Sequence, residues 1–227
     1  MRIVFALLRA IAGIAIIAAI IAQLSTSISF WLGSGVTDLT TQITNYFSFF
    51  TIDSNALAAI VLLIGAVILV TSRGADPKWF TLVRASVVTY MVVTGIVYNL
   101  LLRGIELPQG VTVQWSNEIL HVIAPIYLLL DWLLAPGRSP LRGGAVLKIL
   151  IFPLVWVAYT MLRAPVTEDP IRHQAYWYPY PFLDPHNSAE GFLSVAFYIV
   201  LIAAVIGLVA AGIAWISRRR RIGARTR

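Results

Sequence analysis

Two side chains in this sequence could serve as a nucleophile and its base. His121 stands in Asn117-Glu118-Ile119-Leu120-His121-Val122-Ile123-Ala124-Pro125, near the start of one apolar run. Thr51 stands in Phe50-Thr51-Ile52-Asp53-Ser54-Asn55, near the start of another. A neutral imidazole is a competent general base, and a hydroxyl becomes a nucleophile when such a base takes its proton. Around Thr51, the residues Thr44, Ser48, Thr51 and Asn55 recur at spacings of four, three and four. On one continuous helix that spacing makes a single polar face. Asn117 lies four residues before His121 and so shares its face. Pro125 lacks the N–H that would bond the carbonyl of His121, which opens the backbone beside the imidazole. A plainer reading of the same residues stays open, since Ser, Thr and Asn often bond helix to helix in membranes and proline kinks can serve packing alone.

The elements that must position these groups are membrane helices. The chain of 227 residues is 59% hydrophobic and 12% charged, with mean hydropathy +0.84, far from the roughly one-quarter charged residues of a soluble domain. Spanning takes about 20 mostly apolar residues. Six stretches qualify, over 3–24, 45–71, 80–102, 116–135, 144–163 and 189–216, which predicts an all-α bundle of six transmembrane helices with no separate soluble domain. Measured from the predicted starts, Thr51 lies roughly 9 Å and His121 roughly 8 Å into their spans at 1.5 Å per residue. The two groups therefore share one level of the bilayer, although the sequence alone does not require those spans to be neighbours.

Charge sets the orientation. With the N-terminus in the cytoplasm, 14 of the 17 basic residues fall on the inner side and only Arg103, Arg163 and Arg172 outside. The positive-inside rule then predicts both termini in the cytoplasm of a multi-pass protein of the cell membrane. Residues 1–217 form the predicted domain and 218–227 a basic tail that contacts anionic lipid head groups, each charge contributing about 1 kcal/mol near the surface. The net charge of +7 follows this topology, so nucleic acid is not expected as a partner. The first apolar run is too long for a signal-peptide core of about 7–15 residues, and Arg9 within it is expected to snorkel to the cytoplasmic interface. Cysteine is absent, which closes disulfide, thiolate-metal and cysteine-nucleophile chemistry.

Three outer loops follow, over 25–44, 103–115 and 164–188. The last contains Tyr176-Trp177-Tyr178-Pro179-Tyr180-Pro181-Phe182-Leu183-Asp184-Pro185. Its prolines forbid a regular helix, and its aromatics suit either a plug over the bundle or a belt at the membrane interface. Asp53 points away from the Thr51 stripe and is expected to pair with Arg103 or Arg163. Asp131 lies about 15 Å along the helix from His121, too far to complete a triad. Glu118, His121, His173, His186 and Asp184 gather toward the outer side but match no zinc spacing. Haem ligation between helices generally needs facing histidines. No metal or cofactor is expected.

The motifs Phe50-Thr51-Ile52-Asp53, Asn117 through His121 with Pro125 and Asp131, and Tyr180-Pro181-Phe182-Leu183-Asp184 resemble the androgen-induced-gene family. That family includes the androgen-dependent regulator of tissue factor pathway inhibitor (ADTRP). The resemblance implies a multi-span membrane hydrolase of fatty acid esters, including those of hydroxy fatty acids, with Thr51 as nucleophile and His121 as base. Two lysines among 17 basic residues point to an arginine-biased genome and so to a bacterial relative. Ser48, Asn55, Tyr98, Asn117 and Tyr180 are the candidates for substrate contact and for stabilising the oxyanion. The rival expectation is a non-catalytic lipid-binding or transport protein using the same polar cleft.

Overall fold

In the computed structural model, residues 1–105 and 110–219 are described; the tail expected over 218–227 lies outside them beyond Arg219. The described chain folds into helices α1 (Arg2–Gly33), α2 (Leu39–Tyr46), α3 (Phe50–Thr71), α4 (Lys78–Val97), α5 (Gln114–Glu118), α6 (Ala124–Leu134), α7 (Ala145–Arg163) and α8 (Phe192–Arg218). A π-helical turn, Tyr98–Leu102, extends α4, and a second, Ile119–Ile123, joins α5 to α6. Six of the resulting segments are long and apolar enough to cross a membrane. The chain is thus built as a multi-pass membrane protein.

Two boundaries differ from expectation. The first helix runs to Gly33 rather than ending near residue 24, about 48 Å at 1.5 Å per residue. Its serines are compatible with helix because they bond back to the preceding turn, Ser29 Oγ to the Ser25 carbonyl at 3.0 Å and Ser34 Oγ to the Phe30 carbonyl at 2.9 Å. One face, with Ile16, Gln23, Ser27 and Trp31 among its buried residues, sustains the extension. The second predicted span, 45–71, is broken at Phe47-Ser48-Phe49 into α2 and α3. At the break the Ser48 hydroxyl bonds the Thr44 carbonyl at 2.7 Å, and the indole N–H of Trp156 on α7 donates to the Ser48 carbonyl at 3.1 Å. The polar stripe from Thr44 to Asn55 is therefore not one helical face. Only Thr51 and Asn55 share a helix.

At the end of the bundle away from Thr51, the chain is tied by side chains acting on backbone. Arg2 donates to the carbonyls of Leu69 (3.2 Å), Ser72 and Gly74 (3.3 Å), satisfying carbonyls that the end of α3 leaves open. The Asp76 amide donates to the Gly137 carbonyl at 2.7 Å, and Arg218 Nε to the Leu141 carbonyl at 2.8 Å. Arg2 and Arg218 accordingly lie at the same end.

Arg9 does not snorkel. Its side chain is 1% exposed and forms a bidentate pair with Asp131, Nε to Oδ1 at 2.9 Å and Nη2 to Oδ2 at 3.1 Å. Arg84 reaches the same carboxylate at 2.7 Å and Asp76 at 3.2 Å, so two arginines and two aspartates neutralise one another inside the bundle. The carboxylate facing Arg9 neutralises it inside the bundle, where an unpaired charge would be costly. Gly65 makes room: its carbonyl accepts from Arg9 Nη1 at 3.0 Å, and a Cβ there would lie 2.9 Å from that nitrogen.

Candidate active site at the Thr51 end

Thr51 occupies the first turn of α3, whose cap residue Phe49 supplies no side-chain acceptor. One open amide, that of Thr51, is met from the long loop before α8. Tyr180 there is 5% exposed, and its phenol oxygen accepts from the Thr51 amide at 3.2 Å and lies 3.3 Å from Thr51 Oγ1. The loop is seated by aromatic packing, with Phe49 edge-on to both Trp177 (5.5 Å between centroids) and Tyr180 (5.6 Å). The Trp177 amide donates to the Ala164 carbonyl at 3.0 Å. Of the two readings of the aromatic segment, Tyr180 fits the plug. Burial pushes its phenol up to about 12, so at neutral pH it is a proton donor and not a phenolate.

His121 lies within the Ile119–Ile123 π turn, a device that recurs at functional sites. Its ring stacks on Tyr98, the first residue of the other π turn, with centroids 3.9 Å apart and planes 26° from parallel. Nδ1 lies 2.9 Å from the Asn117 carbonyl oxygen. A carbonyl only accepts, so Nδ1 carries the proton and Nε2 the lone pair. Nε2 has no hydrogen-bond partner among the described residues. The carbonyl of His121, which Pro125 cannot satisfy, accepts from Asn99 Nδ2 at 3.4 Å. Gly95 lets α4 approach this turn, since a Cβ there would be 3.0 Å from Pro125 Cβ and 3.4 Å from the His121 carbonyl.

The helices that bear Thr51 and His121 do touch. Asn55, wholly buried, donates to the Thr51 carbonyl at 2.9 Å and across to the Leu120 carbonyl at 3.1 Å. Thr51 and His121 then line one cavity of about 780 Å³, together with Tyr98, Asn117 and Tyr180. Among the described residues no hydrogen bond joins the two; the Thr51 hydroxyl faces the Tyr180 phenol instead. Asn117 Nδ2 donates to the Tyr98 hydroxyl, which leaves the Tyr98 proton available to a further acceptor. Thr51, Tyr98 and Tyr180 also border an apolar crevice between α4, α7 and α8.

Two candidates fall outside the cavity. Ser48 is held by the Thr44 carbonyl and by Tyr159, whose hydroxyl is 3.0 Å away. Both amide hydrogens of Asn55 go to backbone carbonyls, so it joins helices rather than contacting a substrate. Asp53 pairs with neither expected arginine: Arg103 is bidentate with Glu118 (2.9 and 3.3 Å), and Arg163 donates to Asn45 Oδ1 at 2.7 Å. Asp53 sits instead in the first turn of α3, where a carboxylate suits the helix dipole. Thr94, outside the candidates the sequence offers, has a buried hydroxyl with no partner among the described residues and borders the crevice. Its one signal was a polar residue one turn before Tyr98. No group of three His, Asp or Glu side chains placed to hold a metal occurs among the described residues.

No protein-family model, no curated protein and no solved structure matches this chain. The site must be read from its own geometry.

Proposed function

We propose that the chain is a membrane-embedded lipid ester hydrolase in which Thr51 is the nucleophile and His121 its general base. The observation that carries this reading is the pairing, in one cavity, of a helix-N-terminal hydroxyl with an imidazole whose Nδ1 is tied to the Asn117 carbonyl and whose Nε2 is unpartnered. As Thr51 Oγ1 attacks the ester carbonyl carbon, His121 Nε2 takes its proton. The C–O bond to the alcohol then breaks, and His121 returns the proton to the leaving alcohol. Water attacks the acyl-threonine with His121 again as base, releasing the acid and restoring Thr51. Tyr98 and Tyr180, which line the cavity, would serve as phenol donors to the negative oxygen, and the start of α3 would add the positive end of a helix dipole. The Thr51 hydroxyl would have to turn from Tyr180 toward His121, and such bonds commonly tighten only when substrate binds.

The resemblance to the androgen-induced-gene family supports the same two residues and fatty acid esters, including those of hydroxy fatty acids, as substrates. The positive-inside count supports a cell-membrane protein with both termini in the cytoplasm, so that the cavity opens outward. On that orientation, anionic lipid head groups are the partners of the basic tail.

A second reading is a lipid-binding or transport protein without turnover. The bond of Thr51 to Tyr180 rather than His121 favours it. Release of nitrophenol from p-nitrophenyl octanoate by purified protein separates the two. Hydrolysis abolished by both Thr51→Ala and His121→Ala, in variants of equal folded yield, is the expected result. Well-folded wild type that binds the ester without cleaving it would establish the second reading.

A further inference from the structure

Arg103 ties the two π turns together through its side chain. On an α-helix, residues five apart are separated by about 140° of rotation. A π turn instead bonds residues five apart, and here the Arg103 amide donates to the Tyr98 carbonyl at 2.8 Å. The Arg103 guanidinium lies over the Tyr98 ring, 5.2 Å from its centroid. That same ring is the surface on which His121 stacks, with centroids 3.9 Å apart. Arg103 Nε donates to Asn99 Oδ1 at 3.0 Å, and Asn99 Nδ2 donates to the Gly95 carbonyl at 2.7 Å and to the His121 carbonyl at 3.4 Å. Nη1 and Nη2 grip the carboxylate of Glu118, the last residue of α5, directly before the His121 turn. A planar fork with five donors serves a ring, an amide and a carboxylate at once, which an ammonium cannot. The Arg103 and Glu118 side chains are 46% and 40% exposed. An ion pair this exposed adds little to stability, so what Arg103 secures is the placing of its neighbours.

We propose that Arg103 is a positioning residue for His121, acting through Tyr98 and Asn99. The Nδ1 bond to the Asn117 carbonyl holds the imidazole in one tautomer as long as the ring keeps its plane. That plane is set by the Tyr98 ring, which Asn117 secures at its hydroxyl and Arg103 covers with its guanidinium. A cation over a ring face remains attractive even where it is exposed. Asn99 adds a second hold, on the backbone carbonyl of His121 itself. With Arg103 removed, Tyr98 and Asn99 lose the group that joins them, the imidazole turns about its own side-chain bonds, and the Nδ1–H form no longer excludes the Nε2–H form. A neutral histidine protonated at Nε2 has no lone pair there to take the Thr51 proton. The loss of rate rests on the hydrolase reading; the restraint on the imidazole does not.

The test therefore has two readouts. In full-length protein carrying His173→Gln and His186→Gln, His121 is the one remaining histidine, and NMR of nitrogen-15-labelled histidine in phosphatidylcholine nanodiscs reads its tautomer. That background should show the Nδ1–H form alone. Adding Arg103→Met should bring in the Nε2–H form, as should Arg103→Lys, which keeps the cation, loses the fork, and carries the test if the methionine variant does not fold. Glu118→Gln leaves Arg103 its ring and amide contacts and should keep the single tautomer. A single Nδ1–H form in folded Arg103→Met and Arg103→Lys would overturn the proposal. So would an equal mixture in Glu118→Gln, which would assign the effect to the ion pair. The second readout is hydrolysis of p-nitrophenyl octanoate. Arg103→Met should lower kcat by about tenfold or more, since a general base in the wrong form is lost to the reaction, with KM little changed. A lower folded yield with kcat intact would mark a purely structural role and overturn the proposal. Absence of hydrolysis by wild type, together with tautomer mixing in the Arg103 variants, would end the hydrolase reading and retain the restraint on His121.

Discussion

The Thr51 hydroxyl has two prospective partners, the Tyr180 phenol at 3.3 Å and the unpartnered Nε2 of His121 across the cavity. Because burial holds Tyr180 protonated, its O–H can turn from Thr51 Oγ1 to the oxygen that becomes negative while the threonine proton goes to His121. Tyr180→Phe is therefore expected to lower kcat by about 10²-fold, as for loss of one oxyanion-type donor, with little change in KM. A steady-state comparison in detergent checks this, and a change confined to KM would assign Tyr180 to substrate binding alone. That Thr51 and His121 line one cavity was legible in part, because a hydroxyl and an imidazole stood near the heads of apolar runs at matched depth. The bond from Nδ1 to the Asn117 carbonyl was not, since it depends on a local change of helical pitch that residue spacing does not announce. Arg103 and Arg163 pair with Glu118 on α5 and Asn45 on α2 rather than with Asp53, because short helices inside the predicted outer loop and span bring those acceptors closer.

At the scale of elements, the site depends on two π turns held together by close packing. Gly95 permits that contact, and Asn55 fastens α3 to the His121 turn from the other side. Gly95→Leu should push α4 away from Pro125 and unstack Tyr98 from His121. The expected outcome is loss of at least nine-tenths of esterase activity in protein that still elutes as a monodisperse species. Asn55→Ala leaves the Leu120 carbonyl unsatisfied at a cost of about 1–3 kcal/mol, which thermal unfolding in detergent would register as a lower Tm. The six spans were readable from hydropathy alone. The break at Phe47-Ser48-Phe49 was not, because it is fixed by Trp156 from a distant helix, a tertiary contact with no local signature.

Across the whole molecule, polarity is divided between two ends. The Thr51 end holds a polar cavity under an aromatic plug, while the other end is closed by the Arg9–Asp131–Arg84–Asp76 cluster and by Arg2 on the end of α3. Asp131→Ala would leave two buried guanidinium groups short of their shared partner, and removing one member of a buried pair costs about 3–5 kcal/mol. Sharp loss of folded yield is expected, against little change for Leu162→Ala on the exposed face of α7. A yield equal to wild type for Asp131→Ala would show that the cluster is dispensable to the fold. A nucleophilic Thr51 must react with an electrophile in the intact bundle, and labelling with a fluorophosphonate probe followed by peptide mapping reads that reaction. A single adduct on Thr51 is expected, absent in Thr51→Ala and in His121→Ala of equal folded yield. No labelling of well-folded wild type, or labelling that survives His121→Ala, would contradict it.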